Sequence, residues 1–368
     1  MVPDNTLHGK IVRAIRNSQD HAIPFRDYMA MCLYDPEDGY YMKDKERIGP
    51  GGDFYTSASI GGIMGMVLAR YISEVARGWG EGPVVLAEWG GGSGALAKQI
   101  LDELRSTNPE LYAGLSYISI EQSPAHRMLQ KQTLHTHEAL VCWMTEQDWL
   151  HKGPWNRTWV LSNELIDAFP VDRVRIHHGQ PHEVRVGING AGDEFVEKLV
   201  QLDEGAVLAY VQGISQELEE GQQLEVNLSG MDWLHIIGKA IQSGEVITID
   251  YGDQEEELYA AHRMKGTLMC YTRHAAHDDP YVNPGDQDIT THVNFSRLMQ
   301  AGEQSGMQTK FYGTQKQFLV DHGVLQLLQD TTGTDPFSPA AKRNRAIRQL
   351  LLSDQMSELF KVLIHEKR

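Results

Sequence analysis

Four glycines in five residues, Gly90-Gly91-Gly92-Ser93-Gly94, follow an apolar run from Val84 to Trp89 and precede a helical pattern from Ala95 to Leu104. Such a chain must turn from strand to helix with its backbone bare, since glycine alone turns this tightly and admits a ligand against the main chain. A plain turn needs only one or two glycines, so this loop reads as a cradle for a nucleotide-type ligand. The surrounding wiring agrees. Tyr117 to Glu121 reads as a strand and Pro124 to Leu134 as a helix with proline in its first turn. Leu140 to Met144, Thr158 to Ser162 and Gly244 to Gly252 read as three further strands. This alternation predicts an α/β fold with a mostly parallel sheet and helices on both faces.

The remaining segments divide the chain. Residues 1–80 place Leu7, Ile11 and Ile15, then Phe25, Tyr28, Met29 and Cys32, at helical spacing, and end in a helix from Ser59 to Trp79. Between them Leu33 to Ser57, rich in Gly, Pro, Asp and aromatic residues, reads as a functional loop, and the whole segment as a helical and loop lid. Residues 81–170 hold the first part of the sheet. In residues 171–243 the period drops to two around Gly179, Gln180 and Pro181, the mark of a hairpin in a β-rich insertion, before a helix from Trp233 to Ile241. Residues 244–313 complete the core with strands at Gly266 to Tyr271 and Gln308 to Gly313, giving seven in all and an antiparallel pair at the end. They also hold a helix from Phe295 to Ser305. Residues 314–368 read as helices with Leu350, Leu351, Leu359 and Ile364 facing inward.

Charge narrows the partners. Against 33 basic residues stand 50 acidic ones, a net charge of -17. Such a field repels nucleic acid and anionic membranes and suits a cationic partner. No apolar run approaches the ~18 residues of a membrane span, and the first residues lack a secretory signal. Arg13 and Arg16 lie among acidic neighbours, so a mitochondrial presequence is not expected either. Cys32, Cys142 and Cys270 form no CxxC pair, which points to a reducing compartment and, with the missing signals, to a bacterial cytoplasm. The pairs His135 and His137, His177 and His178, and His274 and His277 find no distant ligand pair at known spacing, so no metal is expected.

Two ligand classes compete for the cradle. Gly90, Gly92 and Ala95 satisfy a dinucleotide loop, with pyrophosphate on the helix N-terminus. Glu88, Gly90, Gly92 and Gly94 satisfy the E-x-G-x-G-x-G loop of S-adenosylmethionine. Glu88 favours the second, because a carboxylate repels pyrophosphate but attracts a sulfonium- and amine-bearing methionine. Glu121, at the next strand end, suits both ribose hydroxyls in either class. Asp148, after the third strand, is placed for an adenine amine or for a surface turn. Asn163 and Glu164 stand at the carboxyl edge of the fourth strand. If the segment beyond is helical, Glu164 and Asp167 share a face and together orient a cationic acceptor; otherwise Asp167 caps a turn before Pro170.

The blocks IPFRDYMAMCLYDPEDGYY, GDFYTS, EWGGGSG, IEQSP, NELIDAFPV, DYG and GTLMCYTRH with DITTHVNF, in that order, resemble the MidA-like methyltransferases. That family includes a mitochondrial assembly factor for respiratory complex I. The resemblance implies a Rossmann-like class I fold, S-adenosylmethionine as cofactor and, as for the mitochondrial relative, transfer to an arginine of a protein, of respiratory-complex type; the net charge of -17 fits an acceptor with a basic segment. By carry-over Gly90, Gly92, Gly94 and Glu121 bind the cofactor, Gly52, Asp53 and Thr56 close over it, and Asn163 and Glu164 line the acceptor side. Trp89 and Gly91 depart mildly from the family's usual loop. Glu164 and Asp167 are then candidates to localise the guanidinium charge, and Asp53 and His292 to take its proton. A small-molecule methyltransferase, a cofactor-binding assembly factor without catalysis, and an NAD-dependent oxidoreductase are the alternatives.

Overall fold

A computed structural model describes residues 6–43, 62–190, 194–272, 275–331, 335–353 and 358–368. Gly52, Asp53 and Thr56, with most of the expected lid loop, lie outside the described residues. The chain divides into two compact units. One comprises residues 1–46, 166–233 and 252–298; the other comprises 47–165, 234–251 and 299–368.

The second unit carries the parallel sheet. Its strands are β1 (Val84–Trp89), β2 (Leu115–Ile120), β3 (Val141–Met144), β4 (Thr158–Asn163), β5 (Gly244–Asp253), β6 (Gln308–Thr314) and β7 (Phe360–Lys367). They lie in the order β3-β2-β1-β4-β5-β7-β6. All pairs from β3 to β5 are parallel, while β7 runs antiparallel to both neighbours. Strands of this kind are covered on both faces, and their sequences show it: Trp159, Val160 and Leu161 are buried in β4, as are Val246, Ile247 and Ile249 in β5. Helix α1 (Ile63–Gly78) buries Ile63, Val67 and Tyr71 at four-residue spacing, with Met64, Leu68 and Ile72 beside them. Helix α2 (Ala95–Thr107) adds Leu96, Ile100, Leu101 and Leu104 to the same core. Each such side chain contributes roughly 1.5–3 kcal/mol on burial.

The tail corrects an expectation. Residues 360–367 form β7 rather than a helix, with Val362, Leu363 and Ile364 buried and register from Gly244↔Lys367 to Tyr251↔Phe360. A short apolar run covered on both faces has no period that separates strand from helix. Pro339–Leu352 is helical, as expected.

In the first unit, Ile23–Pro24, Gln180–Ile188, Asp172–His177 and Gln223–Val226 form an antiparallel sheet, with Phe195–Gln201 paired to the second of these. The expected hairpin is present. His178 and Gly179, at φ +52° and +70°, make its two-residue turn, whose left-handed backbone matches strand twist. Met269–Thr272 sits in a separate three-stranded sheet between Ala275–His277 and Asp288–Thr290, so the strand expected from Gly266 does not join the parallel one. Among the described residues no helix is long and apolar enough to cross a membrane.

Candidate functional site

Strand order reverses beside β1: the chain steps outward to β2 and β3, then returns to place β4 on the other side. Open α/β sheets bind ligands outside the carboxyl ends of the strands at such a point. The glycine loop stands there. Gly90, Gly92 and Gly94 take φ of +63°, +50° and +76°, a left-handed region costly to side-chain-bearing residues. The Gly90 N–H still donates to Ile120 O at 3.0 Å, so the turn starts flush with the sheet, and Gly94 N–H closes it on Gly91 O at 2.8 Å. Gly94 begins α2 without a side-chain cap, leaving backbone N–H donors at the positive helix end for an anion such as a carboxylate.

Glu88 is tucked against this turn. A Cβ added to Gly91 would fall 2.6 Å from its Oε2, the oxygen to which the Tyr117 hydroxyl donates. Burial, reinforced by the nearby Glu121 charge and opposed by the Tyr117 bond, pushes the Glu88 carboxyl up to about 7. A folded-state value of about 7 against an ordinary 4.5 gives stability that is complete below pH 4.5 and lost as pH rises through 7. The loss amounts to about 3 kcal/mol. Glu88→Gln is therefore expected to gain stability over the wild type in urea unfolding at pH 8 but not at pH 4.5. Equal differences at the two pH values would refute the perturbed carboxyl.

Glu121 directly follows β2 and is buried. Its Oε1 accepts from Ser123 N–H at 2.9 Å, and Oε2 has no hydrogen-bond partner among the described residues. His126 Nδ1 lies 3.6 Å from that oxygen. Ser123 caps helix α3 (Pro124–Thr133), so the start of the helix sets the carboxylate's direction. An orphaned buried acceptor beside a bare backbone turn fits a nucleoside diol.

Asp148 is exposed and tied into a local cap: its N–H donates to Thr145 Oγ1 at 3.1 Å, and that hydroxyl donates to its carboxylate at 2.7 Å. At the edge of β4, Asn163 Nδ2 donates to Glu164 Oε1 at 3.2 Å, and Glu164 takes φ +50°. The shared helical face proposed for Glu164 and Asp167 does not form, because helical backbone begins only with a single turn at Ile166–Ala168. The left-handed Glu164 is held from several sides: its N–H donates to Ile249 O at 2.9 Å, and Leu165 N–H donates to the buried Asp250 carboxylate at 3.2 Å. Asp167 is buried in the first unit, its carbonyl accepting from Thr291 N–H at 3.0 Å, next to His292. Asp250 and Gln130, which sequence reasoning did not single out, both brace the carboxyl edge. Asp250 had entered only through the DYG block, and Gln130 is a lone buried polar residue on the inward side of α3.

Among the described residues one acidic cluster, Asp35, Glu37 and Asp38, is compact enough for an ion. Lys10 already occupies it, with its ammonium 2.8, 2.9 and 3.0 Å from the three carboxylates.

The strand order, the antiparallel β7 and the glycine turn at the switch point define a class I methyltransferase fold. The model of a family described as S-adenosyl-L-methionine-dependent methyltransferase matches residues 67–313, well over half of the chain, and the chain belongs to that family. A crystal structure of a protein from Burkholderia thailandensis bound to S-adenosyl-homocysteine superposes with a TM-score of 0.86 at 29% identity, covering 98% of this chain and 91% of that one. The protein arginine methyltransferase NDUFAF7 homolog of Drosophila melanogaster, named as mitochondrial, is 26% identical over 81% of this chain and 71% of its own. The Danio rerio protein arginine methyltransferase NDUFAF7 is 26% identical over 92% of this chain and 82% of its own. The protein is a methyltransferase using S-adenosylmethionine.

Proposed function

We propose that the chain methylates an arginine side chain of a protein partner through a basic segment. The observation that carries this reading is Glu164, a carboxylate held at the edge of β4 in a left-handed backbone that its neighbours over-determine. Strain of that kind persists where a side chain must point in one direction. An acid suits the acceptor: guanidinium stays protonated below pH ~12, and a carboxylate beside it localises the charge on one nitrogen and leaves another more nucleophilic. The names of the curated relatives and the net charge of -17 support a basic protein acceptor.

S-adenosylmethionine, when bound, supplies a methyl group on a positively charged sulfur. The chain's own task is alignment. Gly90, Gly92 and Gly94 shape the wall of the cradle, Glu88 offers a carboxyl to an ammonium, and Glu121 offers an acceptor to ribose hydroxyls. Holding reactants in line supplies ~7–11 kcal/mol of the barrier reduction without any covalent intermediate on the protein. The proton of the methylated nitrogen leaves to solvent or to a carboxylate.

Quantitative mass spectrometry of methylarginine in strains with and without the gene is the test, with Glu164→Gln as a third arm. At least one methylarginine peptide is expected to disappear on deletion. Glu164→Gln should lower its occupancy at least about tenfold while affinity for S-adenosylhomocysteine stays within about twofold. An identical methylarginine set in all three strains sinks the proposal.

A further inference from the structure

The side chain of Gln130 is buried on α3 and reaches three elements at once. Its Oε1 accepts from the Ser119 hydroxyl of β2 at 2.7 Å and from the Trp143 indole N–H of β3 at 2.9 Å. An indole nitrogen can only donate, so the atom it meets is the amide oxygen, and the orientation of the amide follows. The NH2 end is thereby aimed at the glycine turn, where it donates to Gly92 O at 3.1 Å. The aliphatic part runs along the same turn: a Cβ on Gly94 would come within 3.2 Å of Gln130 Cγ, and one on Gly91 within 3.4 Å of Nε2.

We propose that Gln130 is a positioning residue for methyl transfer, which sets affinity for S-adenosylmethionine by tying the Gly90–Gly94 turn to β2 and β3. The turn contributes few bonds of its own, and its left-handed glycines have the widest conformational choice in the chain. A donor fixed by two neighbouring strands selects one of those conformations before the ligand arrives, so less ordering remains for binding to supply. The same helix, through Ser123, also directs the Glu121 carboxylate, so both halves of the nucleoside site hang from α3.

Gln130→Glu separates this role from mere packing. It keeps size and keeps an acceptor for Ser119 and Trp143, but sets a carboxylate oxygen against the Gly92 carbonyl. Calorimetry with S-adenosylhomocysteine at pH 8 is expected to show affinity at least about tenfold below wild type. The ratio of variant to wild-type affinity should recover as pH falls to 5.5, because the introduced carboxyl, once protonated, donates to Gly92 again. Gln130→Met, which cannot donate at any pH, should lose affinity to a similar degree with no recovery, and gives a second reading should the first variant not fold. A folded Gln130→Glu or Gln130→Met that binds as tightly as wild type at pH 8 overturns the proposal, as does a Gln130→Glu deficit that pH leaves unchanged. The inference rests on the cofactor site. Failure of the wild-type protein itself to bind S-adenosylhomocysteine would remove that site, whereas normal wild-type binding with unaffected variants would remove only Gln130's role.

Discussion

Gly92→Val is expected to bind S-adenosylhomocysteine more than about 100-fold less tightly than the wild type while unfolding in a single cooperative transition. Gly92 has φ +50°, and its carbonyl is the point at which Gln130 holds the turn. A β-branched residue in that region is a conformational outlier; even ordinary residues lose roughly 1–2 kcal/mol there. Valine escapes the strain only by rotating the backbone, which carries the carbonyl away from Gln130 and changes the line of Gly90 to Gly94. If it stays, two methyl groups stand on the wall of the cradle. Both routes damage the site, and neither touches the core formed by α1, α2 and the sheet. Equilibrium dialysis with labelled S-adenosylhomocysteine, beside a urea melt, decides the matter, and wild-type affinity in the variant would dismiss the cradle.

The second large effect is expected from Glu121→Ala, at roughly 100-fold in the same affinity. Charge-assisted hydrogen bonds contribute about 1.5–3 kcal/mol each, and a carboxylate facing a vicinal diol can accept two. Here Oε1 already takes Ser123 N–H at 2.9 Å while Oε2 has no hydrogen-bond partner among the described residues, so the acid is oriented with capacity to spare. Glu121→Gln keeps the shape and loses the charge, and should fall between alanine and wild type. The decisive comparison uses the 2′-deoxy analogue of S-adenosylhomocysteine. Wild type should discriminate against it at least about tenfold, and Glu121→Ala hardly at all. Equal discrimination by both proteins would place the ribose elsewhere.

Much of this architecture was readable because parallel strands announce themselves. Val84 to Trp89, Tyr117 to Glu121 and Thr158 to Ser162 are short and apolar, and β1, β2 and β4 follow them closely. The glycine turn was equally legible, since no other residue type would be chosen four times in five for a simple bend. What stayed hidden has physical causes. Strand β7 is an apolar run whose partners, β5 and β6, are distant in sequence; only their pairing distinguishes it from the helix before it. Glu164 gave no warning of its left-handed backbone, because the bonds that impose it come from Ile249 and Asp250 on another strand. Asp148 shows the opposite case. Its spacing from Thr145 is a local cap signal, and that cap forms. Gln130 could be suspected only as a polar residue turned inward, and its three partners lie on three different elements.

The seating of β7 between β5 and β6 has a consequence for how the protein is made. A ribosome that has delivered everything through residue 359 has delivered both of those neighbours but not the strand that joins them. Until the last of the sheet emerges, two long rows of peptide groups stand open to any passing extended chain. The nascent protein thus passes through a window of vulnerability to self-association that closes once residues 360–367 take their place.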